Sequence, residues 1–168
     1  YLPHLAIIIA ALLWSLDAFL RQSLHALSPL LIITLEHGIG SLLFLPRLIG
    51  NWEKLKTLKQ TVWVSLLWIS VLGGICGTYF YTKALSYIGF IDLSVVVLLQ
   101  KFQPLFAVSL AAIILKEKLS KRYLVLALCA MIGGYLVTFG SKPISMGDNN
   151  MLIAALFSLL AAFCWGSS

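Results

Sequence analysis

The stretch VWVSLLWISVLGGICGTYFY, residues 62–81, runs for twenty residues without an Asp, Glu, Lys or Arg. An α-helix rises 1.5 Å per residue, so a helix of this length crosses the roughly 30 Å hydrocarbon core of a bilayer. A helix also pairs its own backbone groups, whereas a lone strand would leave them unpaired in lipid. The stretch therefore predicts a transmembrane helix.

Five further apolar runs of similar length flank this stretch, at residues 3–20, 29–49, 91–115, 123–139 and 151–168. The whole chain is 61% hydrophobic and only 11% charged, where a soluble domain carries about 25% charged residues. A water-soluble fold has too little core to hide so much apolar surface. We therefore predict an all-α integral membrane protein, a multi-helix transmembrane bundle in contact with membrane lipids.

Other functional classes find little support. The net charge is +6, but the basic residues lie between apolar runs and form no basic, aromatic-rich face for nucleic acid. The motifs HExxH, GxSxG and the phosphate loop do not occur, and the connectors are too short for an active site outside the bilayer. We expect no enzyme, cofactor or metal. The three cysteines each lie inside an apolar run and are interpreted as packing residues: Cys76, Cys129 and Cys164.

The distribution of Lys and Arg predicts the orientation. Two alternate connectors hold eight basic residues: Arg47, Lys54, Lys56, Lys59, Lys116, Lys118, Lys121 and Arg122. The opposite side holds three: Arg21, Lys83 and Lys142. Cytoplasmic loops are enriched in Lys and Arg. We therefore expect a multi-pass protein of the cytoplasmic membrane with a cytoplasmic N-terminus and an extracytoplasmic loop at residues 141–150.

A short internal similarity suggests a second repeat. Residues 10–15, AALLWS, align without a gap with residues 161–166, AAFCWG, and share two alanines and the tryptophan. An odd number of helices inverts whatever follows, which is the layout of inverted-repeat transporters. The sixth run would then begin a second, inverted repeat. The chain, which also begins without Met, would be a truncated piece of a longer protein.

Several ordered motifs resemble the EamA-type branch of the drug/metabolite transporter superfamily. They are ALLWS at 11–15, SPL at 28–30, ALSYI at 84–88, PLF at 104–106, LKEKLS at 115–120 and the glycine pair at 133–134. The resemblance implies a ten-helix carrier of two inverted five-helix repeats with a central cavity. It also implies a secondary transporter, an exporter or exchanger of amino acids, related metabolites or drug-like compounds. Residues 1–140 would form the first repeat, and 151–168 the first helix of the second.

Two positions depart from the family pattern. The family often has Arg early in the second helix, where this chain has Glu36 and His37. It also usually has Gly where Lys116 precedes Glu117. The first departure leaves the charge of the substrate open.

Ionisable residues inside a span are costly, so they usually face a cavity or a partner. Four such residues are the substrate or coupling candidates: Asp17, Glu36, His37 and Lys101. We predict that Lys101 pairs with Glu36 or Asp17, and that substrate or a proton competes for that pair. The alternative is a static ion pair, or snorkelling side chains, that only lock the helices together.

Three neighbours of Lys101 and one aromatic residue complete the candidate site. Pro104 removes a backbone donor and frees the carbonyl of Gln100, which predicts a kink that lines a cavity with Gln100 and Gln103. Trp14 would supply an aromatic wall, as would Trp68, Tyr79 or Tyr81, and the alternative role favoured for each of them singly is interfacial anchoring or core packing. The GxxxG spacing of Gly73 and Gly77 indicates close helix packing, within the bundle or at a homodimer seam.

The oligomeric state stays open at this point. If the chain were complete, it would instead resemble a short multidrug-resistance-like protein that works as a dimer, or a structural membrane subunit. The length of the full gene separates these alternatives, since a reading frame of about 300 residues with further helices favours the ten-helix carrier.

Overall fold

A computed structural model describes residues 2–87, 89, 91–139 and 149–168. These residues form helices joined by short connectors. Their bounds are α1 Leu2–Ser23, α2 Pro29–Gly50, α3 Trp52–Lys56, α4 Gln60–Trp68, a π-helix Ile69–Gly77, α5 Thr78–Leu85, α6 Leu93–Gln100, α7 Gln103–Leu115, α8 Lys121–Phe139 and α9 Asn149–Ser167.

The all-α membrane architecture is confirmed. Among the described residues, five stretches are long and apolar enough to span a bilayer: His4–Ser23, Pro29–Gly50, Gln60–Leu85, Leu93–Leu115 and Asn149–Ser167. The remaining predicted run, 123–139, lies within α8. Large apolar side chains cover the outer surface, with Leu43 75% and Ile114 74% exposed. Such a surface suits lipid rather than water. Most of the predicted loop at 141–150 lies outside the described residues, and Asn149 and Asn150 belong to α9.

Serine side chains cap the first turns of α2 and α8. The backbone N–H of Leu31 donates to Ser28 Oγ at 3.3 Å, ahead of Pro29. The backbone N–H of Tyr123 donates to Ser120 Oγ at 3.1 Å. The first N–H groups of a helix have no partner within it, so these oxygens satisfy part of that need.

The third span contains a π-helix that the sequence analysis did not predict. It lies between α4 and α5 and includes both glycines of the GxxxG spacing, Gly73 and Gly77. Trp165 of α9 donates its indole N–H to the carbonyl of Gly73 at 2.8 Å. Trp68 donates to the carbonyl of Ser167 at 2.9 Å. The wider turns of a π-helix thus meet α9 through indole hydrogen bonds, and the glycines pack within the bundle.

The predicted kink in the fourth span is confirmed. The span divides into α6 and α7 at Lys101 and Phe102, which form a turn between the two helices. Pro104 lies in the first turn of α7, where its missing N–H costs little. Gly166 of α9 packs against this break, because a Cβ there would lie 2.7 Å from the carbonyl oxygen of Gln103.

The core of the described bundle surrounds α9. This helix contacts the π-helix, α5, α6 and α7. Its buried face consists of small residues: Ala154, Ala155, Ser158, Ala161, Ala162 and Cys164. Small side chains allow helix backbones to approach closely in a membrane, where lipid competes for every apolar surface. Ring contacts fill the remaining space, among them Tyr81 with Trp165 at 5.5 Å between centroids.

We expect Gly77→Ala to destabilise the bundle, because the added methyl would lie 2.6 Å from Trp165 Nε1. Overpacking of this kind typically costs about 1–3 kcal/mol. The matched control is Gly38→Ala on α2, where no atom lies within 4 Å of the added carbon. That change should stabilise the helix by up to about 1 kcal/mol. Thermal unfolding in detergent measures both, and equal midpoints would contradict the packing described here.

Candidate functional site

An open cavity lies between α1 and α6 and has a volume of about 860 Å³. Small-molecule sites usually measure roughly 300–1,000 Å³. One wall comes from α1, another from α6 and the turn that follows it, and Tyr81 of α5 closes the back. The lining residues are Ala11, Trp14, Ser15, Ala18, Phe19, Tyr81, Asp92, Leu93, Ser94, Val97, Leu98, Gln100 and Lys101.

Lys101 and Trp14 meet at this cavity. The ammonium nitrogen of Lys101 lies 5.0 Å from the centroid of the Trp14 ring. A cation attracted to the face of an aromatic ring contributes about 0.5–1 kcal/mol at an exposed site. The break between α6 and α7 places Lys101 in a turn at the end of α6. This pair combines a cation with a broad aromatic face.

Gln100 adds a buried amide to the same cavity. Its residue is 3% exposed, and its Nε2 atom has no hydrogen-bond partner among the described residues. A buried donor without a hydrogen-bond partner raises the free energy of the folded state, so such donors are rare in native proteins. An incoming acceptor that reaches Gln100 would remove this cost. Of the predicted site residues, Trp14, Gln100 and Lys101 therefore share one cavity.

The predicted pairing of Lys101 with Asp17 or Glu36 is wrong, because Arg21 binds both carboxylates. Arg21 Nε donates to Asp17 at 2.9 Å, and Nη2 donates to Glu36 at 2.7 Å. Its Nη1 donates to Thr82 Oγ1 at 3.0 Å. This cluster ties α1 to α2 and α5. The two acids thus meet at Arg21 and not at Lys101.

Arg21 was missed because it was counted as a loop residue when the orientation was predicted. The structure places it inside α1, with its side chain only 10% exposed. One signal in the sequence pointed to it. Asp17 and Arg21 are four residues apart, a spacing that brings oppositely charged side chains together on one helix face. The position of Glu36 on the next helix then completes the cluster.

The other candidates, His37, Gln103 and Pro104, do not line this cavity. His37 Nδ1 lies 3.0 Å from the carbonyl of Ile33, and its Nε2 faces Gly74 of the π-helix. Gln103 donates its Nε2 to the carbonyl of Trp165 at 3.3 Å. Pro104 is exposed at the start of α7. Of the aromatic residues named as possible walls, Tyr81 lines the cavity, while Trp68 bonds to Ser167 and Tyr79 packs against Phe80.

A second cavity, of about 390 Å³, lies between α7, α8 and α9. Its walls are mainly apolar and include Phe102, Phe106 and Met131. Tyr123 closes one side, with its hydroxyl donating to the carbonyl of Leu105 at 3.0 Å. The described part of the chain brings no charged side chain to this lining, so the cavity between α1 and α6 is the better candidate for a polar solute.

A comparison with protein families shows the family to which the chain belongs. The model of the EamA-like transporter family matches residues 2–139. This chain belongs to the EamA-like transporter family. The match covers α1 to α8, so both walls of the cavity are family segments. The expected membership is thereby confirmed.

The alignment with a curated relative covers more of the chain than the EamA match does. The chain is 38% identical over 169 aligned residues to a protein from Fusobacterium nucleatum subsp. nucleatum named riboflavin transporter ImpX. The alignment covers 98% of this chain and 56% of the relative, so the chain spans about half the length of that protein. No solved structure matches the chain.

We expect Arg21→Met to destabilise the chain, because the side chains of Asp17 and Glu36, 29% and 45% exposed, would lose their shared cation. Leaving a partly buried charged group without its hydrogen-bond partner costs about 1–3 kcal/mol. The matched control is Arg47→Met, an exposed arginine in the last turn of α2. Thermal unfolding in detergent should show a large shift for Arg21→Met alone. Equal shifts for the two variants would show that the cluster does not hold the helices together.

Proposed function

We propose that this chain forms part of a secondary carrier for riboflavin, or for a closely related flat heteroaromatic compound with a hydroxylated chain. The observation that carries the proposal is the cavity between α1 and α6, where the Trp14 face, the Lys101 ammonium and the Gln100 amide converge. The family and the riboflavin transporter relative support it.

The chemistry of the cavity suits a flat ring with carbonyl groups on its edge. The ring system of riboflavin can stack on the exposed face of Trp14 in place of the Lys101 ammonium. Stacked aromatic pairs contribute about 0.5–1.5 kcal/mol beyond their buried area. Lys101 and Gln100 then donate hydrogen bonds to the ring carbonyls. A hydrogen bond from a charged donor is the stronger of these two contacts.

The proposed substrate belongs to a narrower class than the substrates expected from the sequence. Amino acids and drug-like compounds were the substrates implied by the family resemblance. An amino acid would leave the broad aromatic wall of Trp14, Phe19 and Tyr81 largely unused. A flat ring covers that wall and still reaches the polar groups at the turn after α6. We therefore favour the flavin-like substrate.

We assign Asp17 and Glu36 a structural part in this carrier. Both carboxylates accept hydrogen bonds from Arg21, so they hold α1 against α2 and α5 beside the cavity. The excess of Lys and Arg in alternate connectors supports a cytoplasmic membrane location with the N-terminus in the cytoplasm.

Transport by the full-length gene product tests the proposal. Proteoliposomes that carry it should accumulate riboflavin faster than empty vesicles, with and without an imposed proton gradient. Lys101→Gln should abolish transport and leave the protein folded in detergent, since it removes the cation but keeps a similar side-chain length. Riboflavin flux no greater than in empty vesicles would overturn the proposal, and normal flux by Lys101→Gln would remove Lys101 from the site.

We expect Trp14→Leu to weaken riboflavin binding about two- to tenfold, because the stacking surface is lost. The control is Trp63→Leu, an exposed tryptophan on α4. Flavin fluorescence reports binding, since stacking on an indole ring quenches it. If the flavin fluorescence is quenched equally by the wild type and by Trp14→Leu, the flavin binds elsewhere.

A further inference from the structure

Asp92 occupies the end of the cavity opposite to Lys101. It stands at the N-cap of α6, where its backbone carbonyl accepts from the N–H groups of Val95 at 3.0 Å and Val96 at 3.3 Å. Aspartate is one of the preferred N-cap residues because its side chain can accept a further backbone N–H. The carboxylate of Asp92 makes no such bond. It is exposed and lines the cavity instead.

Asp92 also has no ion-pair partner within the described ranges. The cations of the neighbouring elements are engaged elsewhere. Arg21 binds Asp17 and Glu36, and the ammonium of Lys83 lies over the ring of Tyr87 at 5.6 Å. A carboxylate left without a cap bond or a cation is available to a ligand.

The two ends of the cavity therefore differ in hydrogen-bonding character. Asp92 supplies only acceptors when ionised, whereas Lys101 supplies only donors. Asp92 and Lys101 are the two caps of α6 and are nine residues apart, which separates their backbones by about 14 Å at roughly 1.5 Å per residue. The buried amide of Gln100, without a partner at Nε2, lies at the Lys101 end. A ligand that fills the cavity needs acceptors at one end and donors at the other.

We propose that Asp92 binds the hydroxyl groups of the substrate's polyol chain and excludes its phosphate ester. This inference rests on the proposed function. With the flavin ring on Trp14 and its carbonyls at Lys101 and Gln100, the hydroxylated chain extends along α6 towards Asp92. Hydroxyl groups donate strong hydrogen bonds to an ionised carboxylate. A phosphate monoester carries about −1.5 to −2 charge at pH 7 and is repelled by it. The carrier thus selects the free vitamin over the nucleotide form.

A competition experiment tests this selectivity. The full-length protein in nanodiscs is titrated with riboflavin, with lumiflavin, which has the ring without the polyol chain, and with riboflavin 5′-phosphate. The wild type should bind riboflavin about tenfold tighter than lumiflavin, from the loss of a charge-assisted hydrogen bond. It should bind the phosphate ester more weakly still. In Asp92→Asn, the preference for riboflavin over the phosphate ester should fall by about tenfold or more, because the repelling charge is gone.

The control variant is Glu53→Gln, an exposed acidic residue that pairs with Lys56 on α3, and its selectivity should match the wild type. Asp92→Asn keeps a side chain of similar shape and removes no cap bond, so it should fold normally. Unchanged discrimination among the three ligands in Asp92→Asn overturns this inference alone. Wild-type protein that binds the phosphate ester as tightly as riboflavin overturns it too. Failure of the wild type to bind any of the three ligands instead overturns the proposed function.

Discussion

The close approach of α9 to its neighbours is the constraint on which the rest of the described bundle depends. In lipid, apolar side chains gain little by contacting each other, so helices associate through tight backbone packing and hydrogen bonds. The small face of α9, with Ala154, Ser158 and Ala161 fully buried, provides that packing. The π-helix lies beside Trp165 of α9, and the break after α6 lies beside Gly166 of α9. Both irregular segments therefore lie where α9 packs closely.

This packing also explains why the cavity lies beside α1. Helices α5, α6 and α7 are held against α9, and Trp165 and Gln103 link them by hydrogen bonds. Helix α1 instead joins the bundle near its C-terminal end, through the Arg21 cluster and the burial of Ala18. Residues 4–16 of this helix are exposed. A helix attached at one end leaves a cleft along the rest of its length, and Trp14 lies at that cleft.

Much of the fold follows from local patterns in the sequence. The charge-free run at 62–81 and the caps at Ser28 and Ser120 depend on neighbours along the chain, so they can be predicted. The kink at Pro104 is also local. The partner of Asp17 and Glu36 is a property of three helices together, and the apolar run at 3–20 ends before Arg21. The π-helix was not predicted, and Trp165, which donates to its Gly73, lies 92 residues away along the chain.

The contrast between paired and unpaired polar groups identifies the part of the bundle that can bind a solute. Arg21 makes bonds to three partners, so a ligand would have to break strong contacts to use it. Lys101 has only an aromatic face, Gln100 has a donor without a partner, and Asp92 has no cap bond. Satisfying these groups lowers the free energy of the bound state without breaking an existing ion pair. The residues that hold the helices together and the residues that can receive a solute are thus different sets, although they lie on the same helices.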